Sequence, residues 1–126
     1  MYVLPDAELW LVDYLAPLLP GVHVSTRVPN PRQSRMVTVR RDGGPGDRFR
    51  DEPRFGIRVW GDKRAEDPLA DVADLMAEVR AHMHDAPGDG PCRRWREQSG
   101  PVPIPDESGQ PLLYLVGEAV LRGADA

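Results

Sequence analysis

The chain has 126 residues, of which 40% are hydrophobic and 29% charged, and it carries a formal net charge of −4. This composition excludes a disordered chain and predicts one globular domain over residues 1–126. The single cysteine, Cys92, excludes an internal disulfide, and the lack of a leader-like N-terminus or of 18 consecutive uncharged apolar residues predicts a soluble protein without a targeting signal or membrane span.

A helix and a strand are predicted in residues 1–28. The leucines of AELWLVDYLAPLL recur at helical spacing, so an amphipathic helix should begin after Asp6, its N-cap, and end at Pro20-Gly21. Pro17 should distort its last turn, because the ring removes a hydrogen-bond donor and crowds the preceding turn. Residues 22–28 then alternate apolar and polar side chains, which is the pattern of a half-buried strand.

Two more strands are predicted in the middle of the chain. Residues 36–40 and 54–60 again alternate apolar and polar side chains, and three consecutive strands joined by short links favour an antiparallel meander. The link DGGPGDRFRDEP, residues 42–53, is too long for a tight hairpin, and long ordered loops commonly bind a partner.

The clearest predicted element is a helix over residues 68–84. Asp67 is a good N-cap, Pro68 suits the first helical position, and Pro87-Gly88 ends the pattern. The apolar side chains at helical spacing predict one buried stripe made of Leu69, Val72, Ala73, Met76, Val79 and Met83.

The last third of the chain predicts two strands around a loop. Residues 92–98 are consistent with a short strand, and GPVPIPDESGQP, residues 100–111, with an extended proline-rich loop. Residues 112–121 are apolar on both alternating faces, so this strand should be central or covered on both sides. The order α-β-β-β-α-β-β corresponds to an α+β fold with two helices and a mostly antiparallel sheet of four to five strands.

No complete catalytic or metal-binding set appears in the sequence. Arg93 and Arg94 beside Cys92 would lower the pKa of its thiol, but no base is in place to activate a nucleophile. His82 and His84 are two residues apart, so on a helix they point in different directions and cannot chelate one ion. We therefore predict a protein that is not an enzyme and that has no metal and no cofactor.

Arginine is concentrated in the middle of the chain. Residues 27–58 hold nine arginines against four acidic residues, a net charge of +5 that leaves −9 for the remainder. Such a segment can bind a polyanion or the acidic part of a neighbouring copy. Its first residues, RVPNPR, are stiffened by Pro29 and Pro31, with Asn30 as a turn former between them, and pre-stiffening lowers the entropy cost of binding.

The long loop carries Phe49 between Arg48 and Arg50, a composition favoured at protein interfaces. The alternative is that Phe49 folds back onto its own sheet. The residues predicted to contact another subunit or a partner are Arg27, Pro29, Asn30, Pro31, Arg32, Arg35, Arg48, Phe49 and Arg50.

The succession of these segments is similar to small tail terminator proteins of long-tailed phages and prophages of actinobacteria. The most specific stretches are STRVPNPRQSRMVTVRRDGG and GPVPIPDESGQPLLYLV, and the similarity spans nearly the whole chain. The resemblance implies an α+β subunit that forms a ring, typically hexameric, at the head-proximal end of the tail tube. Its implied partners are its own copies, the tail tube protein and a head-completion or connector protein, in the virion neck and, during assembly, in the host cytoplasm.

Two alternatives stay open. Other neck or head-completion proteins of the same phages have similar length and composition. A nucleic-acid-binding module could use residues 27–58 on phosphates, although the total charge is acidic and no recognition motif appears. Arginines lining the lumen of a ring and touching DNA in transit would combine the two interpretations.

Overall fold

In the computed structural model, which describes all residues from 1 to 126, both helices begin at the N-caps that the sequence indicates. Asp6 Oδ1 accepts a hydrogen bond from the Leu9 amide at 3.0 Å, and helix α1 spans Ala7–Leu15. Asp67 Oδ1 accepts from the Ala70 amide at 3.1 Å, and helix α2 spans Pro68–His84. The predicted distortion by Pro17 is confirmed, because the end of α1 tightens to a 3₁₀ turn at Ala16–Leu18.

Eight strands accompany the helices, and six of them form the main sheet. They are β1 (Tyr2–Val3), β2 (His23–Ser25), β3 (Met36–Gly43), β4 (Arg50–Asp51), β5 (Arg54–Trp60), β6 (Cys92–Pro103), β7 (Leu112–Arg122) and β8 (Ala124–Asp125). The main sheet runs β2-β3-β5-β7-β6, with β4 pairing the end of β7, while β1 and β8 pair separately. The predicted α+β fold with a mostly antiparallel sheet is confirmed, and the sheet has one or two more strands than expected.

The pairing of β2 differs from the predicted meander. β2 runs parallel to β3, with His23 opposite Met36 and Ser25 opposite Thr38, whereas β3, β5, β7 and β6 are antiparallel neighbours. A parallel neighbour requires a crossover connection rather than a turn. Residues 26–35, here called the connector, make that crossover. The alternating pattern predicts a strand over residues 22–28, which includes the first residues of the connector. The predicted link between this strand and β3 is therefore shorter than the observed one.

The core lies between the two helices and the inner face of the sheet, where 20 buried residues form one cluster. The stripe of α2 is made of Val72, Leu75, Met76, Val79 and Met83. The predicted stripe was therefore wrong at two positions, because Ala73 is exposed and Leu69 is 73% exposed. Leu69 belongs to the first turn of α2, which borders an open groove.

β7 is the central strand, as predicted. It pairs with β5 along one edge and with β6 along the other. β6 continues to Pro103, further than the predicted end at residue 98, because it is an edge strand whose prolines need not donate to a neighbour. The outer face of the sheet, opposite the helices, carries only a small cluster of Met36, Trp60 and Leu112. No helix of the chain is long and apolar enough to span a membrane.

Candidate subunit interface

The connector is bound to the proline-rich loop that precedes β7, residues 104–111. Arg32 Nη2 lies 2.8 Å from Asp106 Oδ2, and Arg32 Nε donates to Gln110 Oε1 at 3.1 Å. The Gln110 side-chain amide, 7% exposed as a residue, donates to two connector carbonyls at 3.1 Å each. The two loops therefore form one unit at the end of the sheet where β3 and β7 begin, here called the connector end.

The electrostatics of this unit favour the ionised carboxylate of Asp106. Burial alone would raise the pKa of Asp106, but hydrogen bonds from Ser108 and the charge of Arg32 lower it below its ordinary value. Arg32 is thus paired with a carboxylate of its own subunit. Arg35 is also paired, with its Nε 3.4 Å from the carboxylate of Asp71 in α2.

The tip of the connector stays accessible. Arg27, Asn30 and Pro31 are exposed, Pro29 is half-buried, and Arg27 takes part in none of the ion pairs of the subunit. Of the connector residues predicted to contact a partner, Arg27, Asn30 and Pro31 therefore remain the most available.

The loop at residues 42–53, here called the Phe49 loop, is fixed at its base. Arg41 Nη1 and Nη2 lie 2.5 and 2.7 Å from the two carboxylate oxygens of Asp51, a residue that is 6% exposed. A bidentate pair of this kind fixes orientation as well as distance. β4 adds pairing of Asp51 with Leu121 at the end of β7. The loop is therefore ordered, at the end of the sheet opposite the connector.

Phe49 projects from the tip of this loop and is 61% exposed. Its ring makes an edge contact with Tyr2, with 5.6 Å between centroids, and the Arg48 guanidinium lies 5.8 Å from the ring centroid. Asp47 Oδ1 accepts from the amides of Phe49 and Arg50 at 2.8 and 3.0 Å, and this turn holds the ring outward. Phe49 has not folded back onto the main sheet.

Most arginines of residues 27–58 are paired within the subunit. The six that lie within 4 Å of a carboxylate are Arg32, Arg35, Arg40, Arg41, Arg50 and Arg54. Three of their partners, Glu8, Asp71 and Asp106, come from outside the segment. The local net charge falls from +5 to +2 when these three carboxylates are included, so the sequence overstates the positive charge available to a partner.

Arg58 lies on the outer face of the sheet without a carboxylate partner. Its guanidinium carbon is 4.8 Å from the centroid of the Tyr114 ring, a cation–π contact. The ring lies over Gly56, where an added Cβ would come within 2.6 Å of the Tyr114 hydroxyl. Gly56 thus makes room for a flat aromatic and cationic surface on the open side of the sheet.

Cys92 and His84, which were considered for catalysis or metal binding, are respectively buried in the core and paired with a neighbouring side chain. Cys92 is fully buried, and burial raises the pKa of its thiol despite the neighbouring Arg93, contrary to the expected lowering. Arg80 and His84 of α2 both contact Glu97 of β6, with His84 Nε2 2.9 Å from Glu97 Oε2. No three histidine, cysteine or acidic side chains lie close enough together to hold a metal ion.

The predicted contact residues do not form one surface. The connector residues lie at the end of the sheet where β7 begins, and Arg48, Phe49 and Arg50 lie at the end where β7 finishes. Sequence reasoning missed Gln110 and the Arg41–Asp51 pair, because nothing local indicates which distant group each side chain meets. Among known proteins, no family model and no curated protein matches the chain.

Proposed function

We propose that this chain is a tail terminator subunit, a structural phage protein that assembles as a ring, typically hexameric, on the head-proximal end of the tail tube. The ring stops tube polymerisation and joins the tail to the head. One observation carries the proposal. The two stretches with the most specific resemblance to this family, residues 25–44 and 100–116, are distant in sequence but bind each other through Arg32, Asp106 and Gln110. The resemblance therefore falls on one folded unit.

The distribution of charge supports self-association. α2 exposes Asp74 and Glu78 to solvent, and the outer face of the sheet carries Arg58 and Arg94, all outside the ion pairs of the subunit. Because α2 packs on the inner face, these two charged surfaces point in opposite directions. Oppositely charged surfaces on one subunit favour attraction between copies in a fixed orientation, and a heterologous contact closes into a ring when its rotation permits.

In this proposal the partners are further copies of the chain, the tail tube protein and a head-completion or connector protein, with DNA passing transiently through the lumen. The protein assembles in the host cytoplasm and stays in the neck of the virion. Its role is mechanical and needs no catalytic residue, metal or cofactor. The same ring could serve another station of the neck, and partner capture from the phage distinguishes these stations.

A nucleic-acid-binding role is the second candidate, and one observation favours it. Arg27, Arg48 and Arg58 have no carboxylate partner, and Arg58 lies beside the Tyr114 ring on the open face of the sheet. Against this role, six of the nine arginines in residues 27–58 are already paired. Aromatic residues that stack bases usually accompany more free cations.

Size exclusion with light scattering, followed by negative-stain electron microscopy, tests the proposal on purified protein at low and high salt. The same measurement is made with isolated tail tube added, so that assembly templated by the tube is also detected. We expect rings, free or bound at one end of the tube, that persist as salt rises. A monomer that ignores tube ends and binds DNA with a steep salt dependence would contradict the ring and favour the second candidate.

A further inference from the structure

The two most exposed large apolar residues within the folded elements and their loops are Leu69 and Phe49, at 73% and 61%. Each would lose contact with water if it met an apolar partner. Phe49, together with the flanking Arg48, is here called the knob. Leu69 is the rim of an open groove between the first turn of α2 and the proline-rich loop, lined further by Val72, Ile104, Leu112 and Leu113.

The groove is large enough for an aromatic ring. Its volume is about 510 Å³, whereas an apolar cavity of about 150 Å³ already admits benzene. Its lining combines aliphatic side chains with three prolines, which present rigid apolar surface, and its polar side chains, Asp106 and Gln110, already bond to the connector. A phenyl ring is therefore a suitable occupant by size and by polarity.

The knob and the groove lie at opposite ends of one strand. Leu112 and Leu113 begin β7 and line the groove, while the Gly123 amide, just after β7, donates to the Phe49 carbonyl at 3.5 Å. At about 3.3 Å per residue, the 11 residues of β7 separate the two features by roughly 33 Å. Phe49 therefore cannot reach the groove of its own subunit, and only another molecule can bring the two together.

The charges around the two features are complementary. Arg48 of the knob and the neighbouring Arg122 are exposed and take part in no ion pair, while the carboxylate of Asp47 accepts from two amides of its own loop. Three exposed acidic residues next to the groove also take part in no ion pair, namely Glu66, Asp67 and Glu107. The nearby cations Lys63 and Arg64 line a separate polar groove that shares Gln110 with this one.

We propose that the occupant of the groove is a second copy of this chain, whose Phe49 inserts between Leu69 and Ile104 while Arg48 meets the acidic rim. The inference rests on the proposed ring and identifies the contact that builds it. One copy presents its knob end to the groove end of the next, so each subunit gives one contact and receives one. This is the arrangement that a head-to-tail ring requires.

Chemical cross-linking tests the contact directly. The double variant Arg48→Cys with Ala70→Cys places a thiol beside the knob and another beside Leu69, both on exposed residues, while the native Cys92 is fully buried. Treatment with a short bis-maleimide, in the cell that produces the protein and on tail tube, should give a covalent ladder of dimers, trimers and higher species. Each single-cysteine variant should give monomers, because like thiols do not meet in a head-to-tail contact.

Adding Phe49→Asp or Leu69→Asp to the double variant should abolish the ladder. Leu9→Asp is the matched control, since Leu9 is 57% exposed on the first turn of α1, outside both features, and should leave the ladder intact. A second test mixes Phe49→Asp protein with Leu69→Asp protein, each without cysteines added. The mixture should form dimers and nothing larger, because only one knob and one groove remain intact, whereas each variant alone should stay monomeric.

The outcomes separate this inference from the ring itself. No ladder from the double variant, a ladder that survives Phe49→Asp, or equal loss with Leu9→Asp would overturn the knob-in-groove contact. Rings of wild-type protein that persist in Phe49→Asp would overturn the contact while keeping the ring. Cross-linking of the double variant that stops at a dimer would keep the contact and contradict the proposed ring.

Discussion

Arg32 and Asp106, 74 positions apart, form an ion pair of 2.8 Å that joins the connector to the proline-rich loop. Beside it, Gln110 of the proline-rich loop bonds to the connector, accepting from Arg32 Nε and donating to two connector carbonyls. The pair is partly exposed, since the side chain of Arg32 retains 35% of its accessibility, whereas Gln110 is buried. The amide, more than the charge, holds the connector end together.

The first prediction compares these two groups. Gln110→Ala removes the donor to two connector carbonyls and should lower the free energy of unfolding by about 1–3 kcal/mol. Arg32→Ala breaks a partly exposed ion pair and should cost about 0–1 kcal/mol. Chemical denaturation of both variants checks the order. An Arg32→Ala variant that is less stable than Gln110→Ala would contradict it.

The second prediction concerns the corrected stripe of α2. Val72 is 3% exposed and Leu69 is 73% exposed, although the two are one helical turn apart. Val72→Asp buries an unpaired charge in the core and should prevent folding. Leu69→Asp should leave a soluble protein with a cooperative thermal transition close to that of the wild type. Circular dichroism of both variants is sufficient, and a folded Val72→Asp protein would contradict the packing described here.

Val72 and Leu69 also show which features of the fold the sequence predicts and which it does not. Local signals predicted correctly both N-caps, the distortion at Pro17, the extent of α2 and the central position of β7, because each depends on neighbouring residues or on one continuous pattern. Leu69 lies at the margin of the helical stripe, between the buried Val72 and the exposed Ala73, and an apolar pattern alone does not show where the buried face ends.

Partners that are distant in the sequence could not be predicted. The parallel pairing of β2 with β3 depends on a crossover whose length was concealed by strand-like residues at its start. Six arginines of residues 27–58 are paired with carboxylates, and the partners of Arg32 and Arg35 lie at least 36 positions away. The sequence therefore indicated an arginine-rich segment correctly but not which arginines remain available.

The third prediction concerns glycines that face aromatic rings. An added Cβ at Gly117 would lie 2.3 Å from the ring of Trp95, which is 7% exposed, and one at Gly56 would lie 2.6 Å from the Tyr114 hydroxyl. Overpacking of a filled site costs about 1–3 kcal/mol. Gly117→Ala should be the more destabilising, since Tyr114 is only half-buried and can move outward. Equal melting temperatures for the two variants would argue against this difference.

The fourth prediction concerns acid. Hydrogen bonds from Arg80, aided by His84, outweigh burial and hold the pKa of Glu97 below its ordinary value of 4.5. A carboxyl whose pKa is lowered by folding stabilises the folded protein above its ordinary pKa and loses that contribution as the pH falls through the folded value. The wild type should therefore lose stability below about pH 4.5. Glu97→Gln should be less stable at pH 7 and show a shallower loss; parallel slopes would contradict the role of Glu97.

The fifth prediction concerns the proposed function in phage assembly. Phe49→Ala with Arg48→Glu removes the exposed ring and reverses the adjacent charge, without touching the Arg41–Asp51 pair that fixes the base of the Phe49 loop. The variant should fold, because Phe49 is 61% exposed and Arg48 forms no ion pair. Leu9→Asp is the control, since Leu9 is 57% exposed on the first turn of α1, outside the Phe49 loop. In a complementation assay, electron microscopy should show overlong or headless tails with the double variant and normal virions with the control. If a well-folded double variant gives tails of normal length joined to heads, the Phe49 loop is not an assembly contact.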